Sequence, residues 1–174
     1  MKKLVLLLSL MALPILTNAQ SVFNKFENSK DVGSVTVSKG LLNLAAHIDI
    51  ETDDEDLNDF LDIAKNIEGI EVYMTHKPDA ATDLKRTAEV HLKKRRLQEL
   101  MKVKDKDATV NIYVKSTNND EVVKELFLLV DSKDVKRETV VVSITGKIEL
   151  SKVGALVNKF NLPEEVKHAQ KGRR

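Results

Sequence analysis

The sequence predicts an α+β domain, a largely antiparallel sheet of about six strands with amphipathic helices packed on it. Two patterns carry this expectation. Up to about residue 97 the apolar residues recur mostly at helical i, i+3, i+4, i+7 spacing; beyond it they alternate with period two along runs joined by short polar turns. Successive strands with short links pair as an antiparallel meander. Helices therefore crowd the first half of the chain, and the second half completes the sheet.

Taken in order, the chain opens with Lys2 and Lys3, an apolar run over residues 4–16 interrupted only by Ser9 and Pro14, and then Thr17, Asn18 and Ala19. Charged, apolar and small-residue regions in that order make a secretory signal peptide over residues 1–19, cleaved after Ala19. The run falls short of the ~20 residues that cross a bilayer, and no later segment is comparable. The expected product is exported, periplasmic or extracellular, and begins at Gln20. No cysteine follows the run, so a bacterial lipid anchor is not expected either.

Residues 20–166 have the size of a single domain that buries a core without staples. That capacity matters because the chain is cysteine-free: packing alone must hold it, and thiol catalysis, redox relays and thiolate metal sites are ruled out. Losing Lys2 and Lys3 from 28 basic residues, against 27 acidic ones, leaves the mature chain at a net charge of −1. Such a balance points to neither nucleic acid nor an anionic membrane as partner.

Val22, Phe23 and Phe26 share one face of a short helical stretch. Residues 34–38 alternate as a half-buried strand with Val35 and Val37 inward, and Ser38 is the N-cap of a helix carrying Leu41, Leu44, Ala45 and Ile48. A second helix carries Leu57, Phe60, Leu61, Ala64 and Ile67 and stops near Gly69. After a strand over 70–74, Pro78 and Asp79 open the longest helix, residues 80–97, with Ala81, Leu84, Ala88 and Leu92 as its apolar stripe. Strand-like runs follow at 101–104, 109–115, 122–130 and 139–148. Ser151 caps a last helix with Val153, Leu156, Val157 and Phe160 inward, Pro163 helps to end it, and residues 167–174 form a charged tail.

The succession Phe26-Glu27, Val35-Thr-Val-Ser-Lys39, Ile67-Glu-Gly-Ile70, Leu100-Met-Lys-Val103, Val110-Asn-Ile-Tyr-Val114, Leu128-Leu-Val-Asp131 and Val142-Ser-Ile-Thr-Gly146 resembles DUF4252, a family of small exported bacterial proteins known as a domain of unknown function. The resemblance spans nearly the whole mature chain and rests on strand and turn patterns, with no chemical signature among them. It implies an exported single domain with no assigned activity. Many members of the family are lipoproteins, and this chain departs from them in lacking the cysteine.

Asp49, Glu51, Asp53, Asp54, Glu55, Asp56, Asp59 and Asp62 put eight carboxylates into fourteen residues. A Ca²⁺ loop needs glycine at its sixth position and glutamate at its twelfth; counted from Asp49 these are Asp54 and Phe60. The stretch reads instead as an acidic loop entering a helix N-terminus, where carboxylates favour the dipole. Lys93, Lys94, Arg95 and Arg96, with Lys85, Arg86, Lys102, Lys104 and Lys106 nearby, are interrupted by Glu89, Glu99, Asp105 and Asp107 and hold no aromatic among them. They read as a solvated helix face or an intramolecular complement to the acidic loop. His47, His76, His91 and His168 lack the i, i+4 pairing of a zinc helix, and His91 sits at the rim of the long helix's apolar stripe. No phosphate loop, dinucleotide fingerprint or nucleophile elbow occurs, so no catalytic residue, cofactor or metal is assigned.

Strict alternation leaves one unexplained set. With Val35, Val37, Ile70, Val72, Met74, Met101, Val103, Val110, Ile112, Val114, Leu126, Leu128, Val140, Val142 and Ile144 turned inward, Tyr73, Tyr113, Phe127, Leu129 and Val141 fall on the opposite face. An apolar set there is either covered by the Phe23/Phe26 segment or the 153–160 helix, or is free to bind. The expectation drawn from it is a non-catalytic exported module whose candidate interaction face, those five residues, binds a macromolecular partner such as an envelope or extracellular protein. The alternatives are a carrier of a small apolar ligand between sheet and helices, and an enzyme without a recognisable motif.

Overall fold

In a computed structural model of the chain, which describes residues 21–46, 64–118, 121–132 and 137–152, the alternating runs form one six-stranded antiparallel sheet in the order β1-β2-β6-β5-β4-β3. The strands are β1 (Gly33–Ser38), β2 (Ile67–Thr75), β3 (Gln98–Lys104), β4 (Ala108–Ser116), β5 (Val122–Ser132) and β6 (Thr139–Glu149). As the short links predict, β3 to β6 form a meander. The first two strands join it through β2, which pairs along β6 from Ile67↔Gly146 to Thr75↔Thr139.

Two α-helices lie whole within the described residues, beside short 3-10 turns at Asn24–Phe26 and Leu150–Lys152. The first, α1 (Lys39–Ala46), starts directly after Ser38, where the cap was expected. The second, α2 (Pro78–Arg95), has Pro in its first turn, Asp79 beside it, and Lys93, Lys94 and Arg95 in its last turn, so both ends complement the helix dipole. Arg96 ends it in the left-handed region at φ 56°, and the N–H of Leu97 closes back on the Leu92 carbonyl at 3.0 Å. The helix expected over 57–67 lies largely outside the described residues, as do the 153–160 helix and the acidic stretch.

One expectation about that region is corrected. Ile67 and Gly69 belong to β2 rather than to a helix end, with a bulge between them in the pairing to β6. Helical spacing loses here to strand pairing. Gly146, at φ 141°, lets the backbone of 66–68 approach so closely that a Cβ there would lie 2.8 Å from Ile67 Cα and closer still to the Asn66 carbonyl oxygen. The N–H of Lys147 donates to that carbonyl at 2.9 Å.

Period-two alternation divides the strand residues between two cores. Ile70, Val110, Ile112, Val114, Leu126, Leu128, Val142 and Ile144 line the first face, with Leu42 of α1, Ala64 and Ile148 packed into the same cluster. The second face carries Tyr73, Phe127, Leu129 and Val141, and it is closed by Leu84 and Ala88 of α2 together with Phe23, Phe26 and Val32 of the N-terminal segment. The sheet is thus the middle of three layers. Each fully buried large side chain contributes on the order of 2 kcal/mol of transfer free energy, so the second core is a substantial part of what holds the fold.

Candidate functional site

The five residues expected to form an interaction face do come together. Tyr73, Val141 and Leu129 lie opposite one another across β2, β6 and β5, and Phe127 faces Tyr113 across β5 and β4. They are not free, however. Tyr73, Phe127, Leu129 and Val141 are buried and Tyr113 is half-buried, packed against the same cluster. The Phe23 ring stacks on Tyr73 at 5.2 Å between centroids and on Phe127 at 6.1 Å. Alternation decides which side chains share a face; what covers the face is decided by the apolar stripe of α2 and by Phe23, which must themselves be buried. Burial raises the pKa of both tyrosines, with help from Glu71 and Glu27 at Tyr73 and from Glu99 and Glu89 at Tyr113.

Within that second core sits a carboxylate that sequence reasoning missed. Glu125, on β5, is fully buried beside Phe127. His91 and Arg95, one turn apart on α2, reach down to it: His91 Nε2 lies 2.5 Å from Oε1 and Arg95 Nε 3.0 Å from Oε2. Ser143 of β6 approaches Oε1 at 3.4 Å. The His91 ring is held flat by stacking on Phe127 at 5.1 Å and contacts Phe23 at 5.4 Å. Burial pushes the Glu125 pKa up, but the hydrogen bonds and charges of His91 and Arg95 outweigh it and leave the carboxyl below its ordinary range. An ionised carboxylate only accepts, so the Nε2 proton is on His91. A signal for this group was present in the sequence. Glu125 alternates with Phe127 and Leu129, and His91 and Arg95 share an i, i+4 face.

The arrangement is suited to holding Arg95 in place and poorly suited to acid–base catalysis. The depressed carboxyl is a weak base, it is shut off from solvent, and both of its oxygens are committed. Among the described residues no cluster of His, Asp or Glu has the arrangement of a metal site. The basic run is also divided: Lys85 pairs with Asp131 at 2.9 Å, Arg86 with Asp83 at 2.6 Å, and Arg95 with Glu125. His76 is exposed just past the end of β2.

Arg95 continues outward from Glu125 into a cleft of about 590 Å³ at one end of the sheet, lined also by Glu68, Val122, Lys124, Gly146 and Lys147. Glu68, Gly146 and Lys147 bring the β2–β6 bulge, where Gly146 meets residues 66–68, into its lining.

The model of the family described as a domain of unknown function, DUF4252, matches residues 26–156, and the chain belongs to that family. No curated protein and no solved structure matches it significantly.

Proposed function

We propose that the chain is a non-catalytic exported module, periplasmic or extracellular, that binds a macromolecular partner by accepting an extended segment of an envelope or extracellular protein along β1. The observation that carries this reading is the contrast between the two edges of the sheet. The β3 edge bears Lys102 and Lys104 and a bulge at Glu99/Met101, the usual protections against adding a strand. The β1 edge, Gly-Ser-Val-Thr-Val-Ser, has no charge and no bulge in its pairing with β2, and Val35 is 50% exposed on it. Leu41 and Leu44 of the adjoining α1 are more than half exposed as well. An edge strand with no protecting feature among the described residues offers main-chain hydrogen bonds to an extended segment, while exposed side chains beside it give selectivity.

The leader-like residues 1–19 support export, and no helix among the described residues is long and apolar enough to cross a membrane. The closed second face and the committed Glu125 favour binding over catalysis. The cleft beside Arg95 is lined by charge, which gives no support to a carrier of apolar ligands.

The test is site-directed photocrosslinking of the full chain in its native host, with the crosslinker at Ser34 or Thr36 of β1 and, as a control, at Lys102 of β3. The β1 positions should capture one discrete protein, and Val35→Lys should abolish the adduct while leaving the melting temperature unchanged. Equal capture from both edges, or an adduct insensitive to Val35→Lys, contradicts the reading.

A further inference from the structure

We propose that the cleft at the Arg95 end of the sheet is a binding site for a phosphate monoester, with Arg95, Lys124 and Lys147 as its cationic ligands. This inference does not depend on the β1 edge. Arg95 is the central observation. Its Nε is fixed by the buried Glu125, the side chain is 49% exposed, and among the described residues its terminal nitrogens make no other hydrogen bond. Its backbone carbonyl is held too, by Lys115 Nζ at 2.6 Å. A guanidinium anchored at Nε keeps the rest of its planar fork for a ligand and loses little entropy in binding one.

Lys124 and Lys147 line the same cleft, both exposed and neither paired with another described residue. They project from neighbouring positions of β5 and β6, whose pairing runs through Val123↔Ile148 and Glu125↔Thr145. Among the described residues these three cations face one lining acid, Glu68, and the buried Glu125 that holds Arg95. With Glu125 ionised behind Arg95 the group still keeps a net positive charge, which suits an anion, and planar-fork plus point-charge contacts are how phosphate oxygens are held. A cleft of about 590 Å³ exceeds a bare phosphate and has room for the polar group that carries it. Of the described lining side chains only Val122 is wholly apolar.

The experiment is calorimetric titration of the full chain with glucose 6-phosphate, with glucose as the control, alongside flotation with phosphatidylcholine vesicles containing or lacking phosphatidic acid. Saturable binding of the sugar phosphate but not of glucose is expected if the source is a soluble ester. Flotation only with phosphatidic acid assigns the site to a lipid headgroup. In either case Lys124→Gln with Lys147→Gln should weaken binding at least about tenfold, the loss expected for charge-assisted contacts, and Glu68→Gln should strengthen it. All three positions are exposed, so thermal stability should not move. Arg95→Lys, which keeps the charge but not the fork, should weaken binding as well; should it fail to fold, the lysine and Glu68 variants still decide. Absence of binding to both probes, or binding that Lys124→Gln/Lys147→Gln and Glu68→Gln leave unchanged, overturns the proposal.

Discussion

His91 Nε2 donates to Glu125 Oε1 over 2.5 Å, tying the last turns of α2 to the middle of the sheet through a carboxylate that has no contact with solvent. The pair explains why a charged residue is tolerated in an aromatic core. Each oxygen of Glu125 meets a donor from the helix, and those two donors lie on the same helical face.

The first prediction concerns acid. Because the Glu125 carboxyl is depressed in the folded protein, its contribution to stability is complete above its unfolded value of 4.5 and disappears as pH falls through the lower folded value. Glu125→Gln should cost on the order of 3 kcal/mol at neutral pH, as expected when one partner of a buried charge network is removed. It should also flatten the dependence of the melting temperature on pH below 4.5. Equal acid sensitivity of the two proteins in thermal melts would count against the assignment.

A second prediction separates the closed face from a docking surface. Tyr113→Ser combined with Phe127→Ser removes two members of the second core, one of them fully buried. The expected cost is about 3 kcal/mol or more, dominated by Phe127, visible as a large drop in the denaturant midpoint. Wild-type stability of the double variant would mean that the face is uncovered in solution.

Gly146→Ala is the third. At φ 141° an L side chain is strained, and the added Cβ would be driven into the backbone of 66–68. A destabilisation of roughly 2 to 3 kcal/mol is expected. The β2–β6 pairing should weaken first at Ile67, a change that amide exchange along residues 66–70 can localise.

Export makes the fourth. Protein recovered from the native host should begin at Gln20, cyclised to pyroglutamate, and fractionate outside the cytoplasm, as intact-mass and terminal peptide analysis will show. Full-length material starting at Met1 in the cytosol would remove the basis for the signal-peptide reading.

Much of this fold is legible in the sequence because its strands alternate cleanly. Val110, Ile112 and Val114, then Leu126 and Leu128, then Val142 and Ile144 occupy the first face as their spacing requires, and α2 buries Leu84 and Ala88 of its predicted stripe. Alternation also puts Tyr73, Phe127 and Val141 together on the second face. What it cannot supply is the third dimension. Nothing local says that α2 lies over that second face, and so alternation leaves the set either covered or free to bind until Phe23, one of the covers the sequence offers, and Leu84 are seen against it. Glu125 is obscure for the same reason. A carboxylate on a strand looks solvated, and its partners are 34 and 30 residues away in the chain. Ile67 misleads differently, since it fits the end of an apolar helical stripe and is drawn into β2 by pairing with Gly146.

The strand order has a temporal consequence. β2 ends at Thr75, yet its partner β6 begins only at Thr139, near the end of the described chain. A two-stranded β1–β2 ribbon is marginal by itself, so while the ribosome adds about 5 to 20 residues per second the amino-terminal strands wait for seconds without the surface they need. The β3–β6 meander can zip up from neighbouring segments, but the ladder joining it to β2 must bring residues 67–75 to residues 139–146, a slow, long-range kind of contact to make. On the proposal that residues 1–19 direct export, lateness of this kind would be useful: β1 and β2 stay without their place in the sheet until the last described strand has been made.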